Sequence, residues 1–251
     1  FAIAFIECFN LNLNLIYYNN FFMEKKITSV LIVAAGKGIR SKSVIPKQYL
    51  HFGNQTVLEK NIGNFLDEPL IDFVQVVIHK KHIGFYKEAI GKIDSIKLLP
   101  VCFGGETRSH SVKNGLKAIA NTGCTKILIQ DGARPFTSSE IIRKCIKGLD
   151  KFDVVFPGID IPDTLYIKKK ESNRDTIGKV GPNRDCIIRA QTPQAFRFDY
   201  IYKRHKDSSK HYTDDVVLAF LDNKKIEIIS GSEYNLKITT PEDIRIAEKL
   251  F

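Results

Sequence analysis

The alternation of short apolar runs with amphipathic stretches, from Ile27 onward, constrains the fold of this chain most strongly. Apolar runs such as SVLIVAA and FVQVVI predict buried strands, and the amphipathic stretches between them predict helices. Strands that alternate with helices form a mostly parallel sheet covered by helices, so the pattern predicts an α/β fold. The predicted strands are 29–35, 73–78, 96–101, 126–130 and 154–156. The predicted helices are 56–66, with Thr56 as N-cap, 83–90, 107–120 and 138–149.

The rhythm changes between about residues 160 and 190, which are polar, basic and β-leaning. This segment predicts a protruding arm, with Lys168, Lys169 and Lys170 in a loop. The α/β pattern then resumes with helices near 199–206 and 213–221, strands at 226–229 and 236–238, and a C-terminal helix from Pro241. We therefore expect one domain over residues 23–251 that carries the arm.

Residues 1–22 are apolar, aromatic and Asn-rich, with Glu7 and no positive charge. They lack the basic start and unbroken apolar run of a secretory signal, and Asn interrupts them too often for a membrane span. Met23 is the only methionine. We interpret residues 1–22 as an upstream extension, with an accessory segment as the alternative, and leave them out of the fold prediction.

The net charge and the cysteine content indicate which kinds of partner and which cellular compartment to expect. The formal net charge is +10, which indicates anionic partners such as nucleic acid, anionic lipid or phosphorylated small molecules. The five cysteines include no Cys-x-x-Cys pair, and their number is odd. These features argue against a disulfide framework or a zinc ribbon and predict a cytoplasmic protein.

A glycine loop, GKGIRSKS at residues 36–43, directly follows the first predicted strand. Glycines allow a backbone to approach a ligand closely, and exposed N–H groups in such loops bind phosphate. Ser41 stands where a dinucleotide fingerprint and a P-loop both require glycine. The pattern Ala-Ala-Gly-x-Gly-x-Arg, completed by Lys47 after Arg40, fits without a mismatch and would place two cations beside a polyphosphate. The alternative is a tight strand–helix turn with solvated cations.

With these residues the chain resembles the 2-C-methyl-D-erythritol 4-phosphate cytidylyltransferases of the non-mevalonate isoprenoid pathway, from about Thr28 to the C terminus. The motifs that carry the resemblance are Ala34-Ala35-Gly36-x-Gly38-x-Arg40, Pro46-Lys47-Gln48, Gly104-Gly105-x-x-Arg108-x-x-Ser111, Asp131-x-x-Arg134-Pro135, Asp163-Thr164, Asn183-Arg184, Gln191-Thr192-Pro193-Gln194, Thr213-Asp214 and Asn235-Leu236-Lys237-Ile238-Thr239 before Pro241-Glu242-Asp243. The resemblance implies a Rossmann-like α/β fold whose β-arm serves dimerisation. It also implies cytidylyl transfer from CTP to methylerythritol phosphate, with release of pyrophosphate.

The implied reaction joins an acceptor phosphate to the α-phosphorus of CTP. Because that phosphate is already ionised, we expect catalysis by positioning and charge stabilisation rather than by a Ser-His-Asp triad. The resemblance implies that the catalytic cations are Arg40, Lys47 and Lys237. It implies that the CTP-binding residues are Ala34, Ala35, Gly36, Gly105, Glu106, Ser111, Asp131 and Gly132. It implies that the acceptor-binding residues are Asp131, Arg134, Thr164, Arg184, Thr192 and Lys237.

Two positions depart from the family pattern. Glu106 stands where the family often has Asp, so its charge is kept but displaced, and Gly132 replaces a common alanine. By resemblance, the loop at 104–111 reads cytosine at the start of a helix, where free N–H groups receive polar ligand atoms. The alternative is that Thr107 or Glu106 only caps that helix.

The resemblance also implies partners and a cofactor. In the family the arm reaches across a dimer, so Thr164 and Arg184 would hold the acceptor phosphate in the partner's site of a homodimer. Arginine suits that role because its planar fork binds phosphate through two hydrogen bonds. Mg²⁺ is expected because the charge of the CTP polyphosphate needs neutralising, and the phosphates themselves supply most of its ligands.

The remaining polar motifs, which contain histidine or paired aspartates, give only weak indications of a functional site. His79-x-x-His82 is a weak metal pair that we place at a strand end in solvent, and His110 has no predicted partner. Asp214 and Asp215 are interpreted as helix-start residues.

Two other functions remain open from the residues alone. One is cytidylyl transfer to another polyol phosphate, such as ribitol 5-phosphate, because those enzymes share most of the motifs. The other is a basic nucleic-acid-binding module, which would need a basic stripe with interleaved aromatic residues. The short Lys168–Lys170 run favours a solvated loop instead. We therefore expect no nucleic-acid and no membrane partner.

Overall fold

A computed structural model describes residues 26–36, 45–171, 174–207, 212 and 214–250. Residues 1–22, Arg40 and Thr213, for which predictions were made, lie outside the described residues. The strands are β1 Ile27–Ala34, β2 His51–Phe52, β3 Gln55–Thr56, β4 Phe73–Ile78, β5 Cys102–Phe103, β6 Cys124–Asp131, β7 Val154–Asp160, β8 Tyr166–Glu171, β9 Arg174–Val180, β10 Ile188–Ala190, β11 Gln194–Arg197 and β12 Ile226–Ser230. The α-helices are α1 Val57–Leu66, α2 Ile83–Ile90, α3 Arg108–Ile119, α4 Ser139–Gly148, α5 Phe198–Asp207, α6 Val216–Leu221 and α7 Pro241–Leu250. Short 3₁₀ helices lie at Lys47–Tyr49, Lys80–His82, Ala120–Thr122 and Arg184–Cys186.

One mixed sheet organises the chain. Its strand order is β10-β7-β11-β6-β1-β4-β5, and β12 pairs with β7. The pairs of β1 with β4 and β6, of β4 with β5, and of β7 with β12 are parallel. Strand β11 runs antiparallel to β6 and β7, and β10 antiparallel to β7. The predicted mostly parallel α/β sheet is confirmed.

Helices cover both faces of this sheet, because its central strands are apolar on both sides. Along β1, Val30 and Ile32 belong to one buried cluster, which includes residues of α1, α2 and α4. Leu31 belongs to the other cluster, with residues of α3, α5 and α6. A third, smaller cluster joins α7 to Phe52 of β2 through Ala247 and Ile238. It packs the chain around Lys237 near the end of β6.

Most predicted elements are present with bounds shifted by a few residues. Thr56 begins α1 with a capping box, in which its hydroxyl accepts from the Glu59 amide and the Glu59 carboxylate accepts from the Thr56 amide. Thr107, not Glu106, caps α3 by accepting from the His110 amide. Helix α6 begins at Val216 rather than near 213. No helix among the described residues is long and apolar enough to cross a membrane.

Three predicted elements were wrong. The segment 96–101 is not a strand: Ile96 is 99% exposed, Leu98 makes a single bridge to Val74, and Pro100 has no N–H for a ladder. Strand pairing resumes only at β5. The three lysines at 168–170 lie in β8 rather than in a loop. The segment 236–238 is not a strand, although the Ile238 amide donates to the Ala133 carbonyl at 2.8 Å.

The arm is a separate antiparallel ribbon formed by β8 and β9. Every residue of β8 is exposed, and Tyr166, Ile177 and Val180 leave large apolar side chains in solvent. Strand β10 then returns the chain to the main sheet beside β7. The β-leaning character predicted for residues 160–190 is confirmed.

Candidate active site

A pocket of about 480 Å³ opens at the carboxyl ends of β1 and β6. Ligands of open α/β sheets bind outside the carboxyl ends of the strands, and the volume falls in the range of small-molecule sites. The lining residues are Val33, Ala34, Ala35, Gly36, Lys47, Gln48, Gly105, Glu106, Thr107, Arg108, Ser111, Asp131, Gly132, Ala133, Lys237 and Thr239.

Asp131, the last residue of β6, is the central carboxylate of the pocket. The ammonium of Lys237 lies 2.7 Å from Oδ2 of Asp131, and Nε of Arg134 lies 3.5 Å from the same oxygen. Burial alone would raise the pKa of Asp131, but Lys237, Arg108 and Arg134 outweigh it and hold the pKa below its usual value. Asp131 is therefore ionised at neutral pH.

A buried polar network fixes the backbone of Asp131. Its amide donates to Oγ1 of Thr192 at 3.1 Å, and its carbonyl accepts from Asn61 at 2.9 Å. The Thr192 hydroxyl donates to Oε1 of Gln130 at 2.8 Å, and the Gln130 amide donates to Asn61 and Thr137. Because Asn61, Gln130, Thr137 and Thr192 are buried, losing one partner would leave an unsatisfied group.

Lys47 reaches the pocket from a single 3₁₀ turn that follows the glycine loop. The neighbouring Gln48 is buried, and its amide donates to the carbonyls of Ala34 at 2.8 Å and Gly36 at 3.2 Å. These two bonds tie the Lys47 turn to the end of β1. The position of the lysine therefore depends on Gln48.

The opposite wall is the turn that begins α3. The Ser111 hydroxyl accepts from the Gly105 amide at 3.2 Å and donates to the Thr107 carbonyl at 2.9 Å. Glycine is required at 104, because a Cβ there would lie 2.5 Å from Cβ of Ala35 and 2.6 Å from Oγ of Ser111. Ser111 thus shapes the turn as well as lining the pocket, and Glu106 stands exposed at its rim.

The structure brings together most residues predicted for the site. Those that line the pocket are Ala34, Ala35, Gly36, Lys47, Gly105, Glu106, Ser111, Asp131, Gly132 and Lys237. Arg134 stands behind Asp131 and donates to the Asn235 carbonyl at 2.7 Å. Thr192 is buried below the pocket and does not line it. Arg40 lies outside the described residues.

The two predicted arm residues lie away from this pocket. Thr164 is exposed in the connection between β7 and β8. Arg184 is half-exposed in a 3₁₀ turn, where its guanidinium donates to the Pro162 carbonyl. Neither residue lines the pocket of its own chain.

Sequence reasoning missed three residues of the site. Gln48, Arg108 and Asn235 stood inside recognised motifs but received no role. Asn235 is fully buried, and its amide donates to the Thr192 carbonyl at 2.9 Å. Asp215 stands at the N-cap position of α6, as its interpretation as a helix-start residue predicted, but its side chain makes no capping hydrogen bond and is a buried partner of Arg108. The Asp214 carboxylate accepts from the Val216 amide at 2.8 Å.

The histidine and cysteine side chains form no further site among the described residues. The rings of His79 and His82 are 4.9 Å apart, and within the described ranges no three His, Cys, Asp or Glu side chains could hold a metal ion. The described cysteines, Cys102, Cys124, Cys145 and Cys186, are free.

The chemistry of the pocket is that of an anion site. Lys47, Arg108 and Lys237 face a cavity whose central carboxylate is already paired, so a polyanionic ligand gains several charge-assisted contacts. The N-terminus of α3 adds backbone N–H groups to the lining of the pocket. This fold and this site define a nucleotidyltransferase-like α/β protein, with a pocket for a phosphorylated ligand.

Comparisons with known proteins identify the family. The sequence pattern of the family "IspD: 2-C-methyl-D-erythritol 4-phosphate cytidylyltransferase" matches residues 28–251. The Clostridium botulinum (strain Eklund 17B / Type B) cytidylyltransferase is 39% identical over 89% of this chain and 99% of its own length. The solved 4-diphosphocytidyl-2C-methyl-D-erythritol synthase of Anaerococcus prevotii is 32% identical, with a TM-score of 0.75 over 90% of this chain and 96% of that one. This chain belongs to the 2-C-methyl-D-erythritol 4-phosphate cytidylyltransferase family, as the sequence motifs predicted.

Some matched relatives are much longer than this chain. The Wolbachia pipientis protein named bifunctional enzyme IspD/IspF is 37% identical over 91% of this chain, and the chain spans 56% of its length. The matched part of that relative therefore corresponds to the domain described above.

Proposed function

We propose that this chain transfers the cytidylyl group of CTP to 2-C-methyl-D-erythritol 4-phosphate and releases pyrophosphate. The observation that carries the proposal is the pocket of Lys47, Asp131 and Lys237 in a chain of this family. A nucleic-acid-binding role is not favoured, because the basic run at 168–170 lies on an exposed ribbon paired with acidic neighbours.

The transfer needs positioning and charge rather than a base. An ionised oxygen of the acceptor phosphate attacks the α-phosphorus of CTP and forms a new P–O bond. The bond from the α-phosphorus to the bridging oxygen breaks, and its electrons leave with pyrophosphate. We assign stabilisation of the developing charge to Lys47 and Arg40, and orientation of the acceptor to Lys237, Asp131 and Arg134.

We assign the cytosine to the turn that begins α3. Its backbone N–H groups and the carboxylate of Glu106 can contact the polar edge of a base. A site built to bond cytosine leaves polar groups unpaired with uracil, which costs orders of magnitude in rate.

We further propose that Mg²⁺ accompanies CTP. The pocket offers one central carboxylate, Asp131, and Glu106 at the rim, which suits an ion held mainly by phosphate oxygens. When bound, the ion would neutralise the polyphosphate.

The arm supports a further proposal of a homodimer with shared sites. Thr164 and Arg184 lie away from the pocket of their own chain, and the arm exposes apolar side chains such as Ile177 and Val180. In a twofold dimer each arm would bring Thr164 and Arg184 to the partner's acceptor phosphate. We also propose that residues 23–251 form one domain working in the cytoplasm, which the free thiols of Cys102 and Cys186 would suit.

Pyrophosphate release tests this function directly. The purified protein with CTP, Mg²⁺ and methylerythritol phosphate should release pyrophosphate and form the CDP-methylerythritol. Ribitol 5-phosphate in place of the acceptor, and UTP in place of CTP, should each be much poorer. Preferential use of ribitol 5-phosphate would reassign the acceptor, and equal use of UTP would overturn the cytosine assignment.

A further inference from the structure

A buried ionic group that the proposed reaction does not use stands behind one wall of the pocket. Nη1 of Arg108 lies 2.6 Å from Oδ2 of Asp215, and Nε2 of His205 lies 3.0 Å from Oδ1 of the same carboxylate. The side chains of Asp215 and His205 are only 1% and 4% exposed. Arg108 is 24% exposed and lines the pocket. The group therefore connects the core to the ligand site through one guanidinium.

Burying this ionic group costs desolvation free energy, so stability alone does not explain its position. A buried ion pair often stabilises no more than apolar residues of the same size would. Burial alone would raise the pKa of Asp215, but Arg108 and His205 outweigh it and lower the pKa, so the carboxylate is ionised. A fixed charge at this depth serves to hold the orientation of its partner.

Asp215 is held in place by contacts that do not involve Arg108. The Ser109 hydroxyl donates to the Tyr212 carbonyl and accepts from the Tyr212 amide, both at 3.1 Å. The Gln194 amide donates to Asp214 at 2.5 Å. The segment before α6 is thus fastened to the first turn of α3, so Asp215 presents a rigid anchor to Arg108.

The charge of Arg108 acts electrostatically on the pocket. Together with Lys237 and Arg134 it lowers the pKa of the partly buried Asp131. A guanidinium has five N–H donors in one plane, so its contact with Asp215 does not exhaust it. The plane and charge of such a group match phosphate oxygens.

We propose that Arg108 is a further CTP-binding cation of this site and that Asp215 and His205 are positioning residues that act through it. The inference rests on the proposed CTP-dependent function. It assigns to the ion pair at the start of α3 a role in holding the nucleotide.

Direct CTP binding, measured by calorimetry with Mg²⁺, tests the inference apart from turnover. Arg108→Met and Asp215→Asn should each raise the Kd for CTP about tenfold, the scale of losing a charge-assisted contact. In the double variant the second change should add little, because Asp215 acts through Arg108. Additive effects of the two changes would overturn the positioning role.

Matched variants separate positioning from stability. Glu68→Gln removes another fully buried carboxylate, 3.0 Å from Arg143 and outside the pocket, and should lower stability without changing the Kd for CTP. His205→Gln keeps an N–H donor for Asp215 and should bind CTP nearly normally, whereas His205→Leu should weaken binding about threefold or more. Circular dichroism checks folding, and if Asp215→Asn does not fold, the two His205 variants carry the test.

The outcomes distinguish this inference from the proposed function. A wild-type protein that binds no CTP overturns the function itself. A wild-type protein that binds CTP while Arg108→Met binds it equally well overturns only the role of Arg108. Equal CTP affinity of His205→Gln and His205→Leu would remove His205 from the positioning pair.

Discussion

Lysine and aspartate side chains set the charge pattern of the pocket. Asp131 is ionised and paired with Lys237 at 2.7 Å, while Lys47 reaches the same cavity from the turn held by Gln48. An ammonium fixed in this way needs no reorganisation when negative charge develops on a transferring phosphoryl group.

Removing Lys47 should therefore affect the chemical step. We expect Lys47→Ala to lower turnover by roughly 10²-fold or more, the scale of losing one preorganised charge donor. Pyrophosphate release at saturating substrates measures the effect. Lys87→Ala, which removes an exposed lysine of α2 outside the pocket, is the control and should turn over normally. Near-normal turnover of Lys47→Ala would remove this lysine from the mechanism.

The buried carboxylate of Asp215 gives a residue-level prediction on pH. Its pKa in the folded protein is lowered below the ordinary aspartate value of about 3.9, because Arg108 and His205 stabilise the charged form. A lowered folded pKa contributes stability that is present above the unfolded pKa and is lost as pH falls through the folded pKa. Asp215→Asn should thus be less stable than wild type at pH 7, and the difference should shrink below about pH 4. Urea unfolding across that range measures it, and a difference independent of pH would contradict the assignment.

At the scale of elements, helix α3 sits unusually close to the sheet. A Cβ at Gly115 would lie 2.2 Å from Cδ1 of Leu31 and 2.8 Å from Cγ2 of Val77. Leu31 and Val77 are fully buried in the sheet and cannot move aside freely. This close approach places the first turn of α3 against the end of β1, where it forms one wall of the pocket.

Two glycine-to-alanine changes in helices should therefore have opposite signs. Gly115→Ala should lower the free energy of unfolding by about 1–2 kcal/mol, because overpacking outweighs the gain in helix propensity. Gly63→Ala in α1, where a Cβ would meet nothing within 4 Å, should raise it by up to about 1 kcal/mol. Urea denaturation of both variants compares them, and stabilisation by both would show that α3 can shift away from the sheet.

At the scale of the whole molecule, the proposed dimer predicts complementation between inactive subunits. Lys47→Ala damages the part of a site that the α/β domain supplies, which we call the core. Arg184→Ala damages the part that the partner's arm supplies, so each homodimer should be nearly inactive. In a mixed dimer one site receives an intact core and an intact arm. About half of randomly exchanged dimers are mixed, and half of their sites are whole, so activity should return to roughly a quarter of normal.

Tagged subunits make that test decisive. The two variants are mixed and allowed to exchange, mixed dimers are confirmed by pull-down on their two tags, and the unfractionated mixture is assayed for pyrophosphate release. Each variant exchanged with itself is the control. Confirmed mixed dimers without activity would place Arg184 in its own subunit's site or outside catalysis.

Local sequence pattern was sufficient where structure depends on neighbours along the chain. Strand β1 and the N-cap of α1 at Thr56 follow from periodicity and from a side chain that bonds the next turn. The pattern failed at 96–101, where Ile96 is exposed and Leu98, Leu99 and Val101 pack against the core without forming a strand. It also failed at 168–170, where pairing with β9 places three lysines in a strand. Both errors arise because burial and pairing are set by distant segments.

The sequence by itself determined the α/β class, most of the helices and central strands in their chain order, and the family motifs. Only the tertiary structure decided which charges meet: Lys237 with Asp131, and Asp215 with Arg108. It also showed that Thr192 lies beneath the pocket, bonded to the Asp131 amide. The physical reason is that hydrogen bonds and ion pairs act over a few ångströms in space, whereas a sequence pattern records only neighbours along the chain.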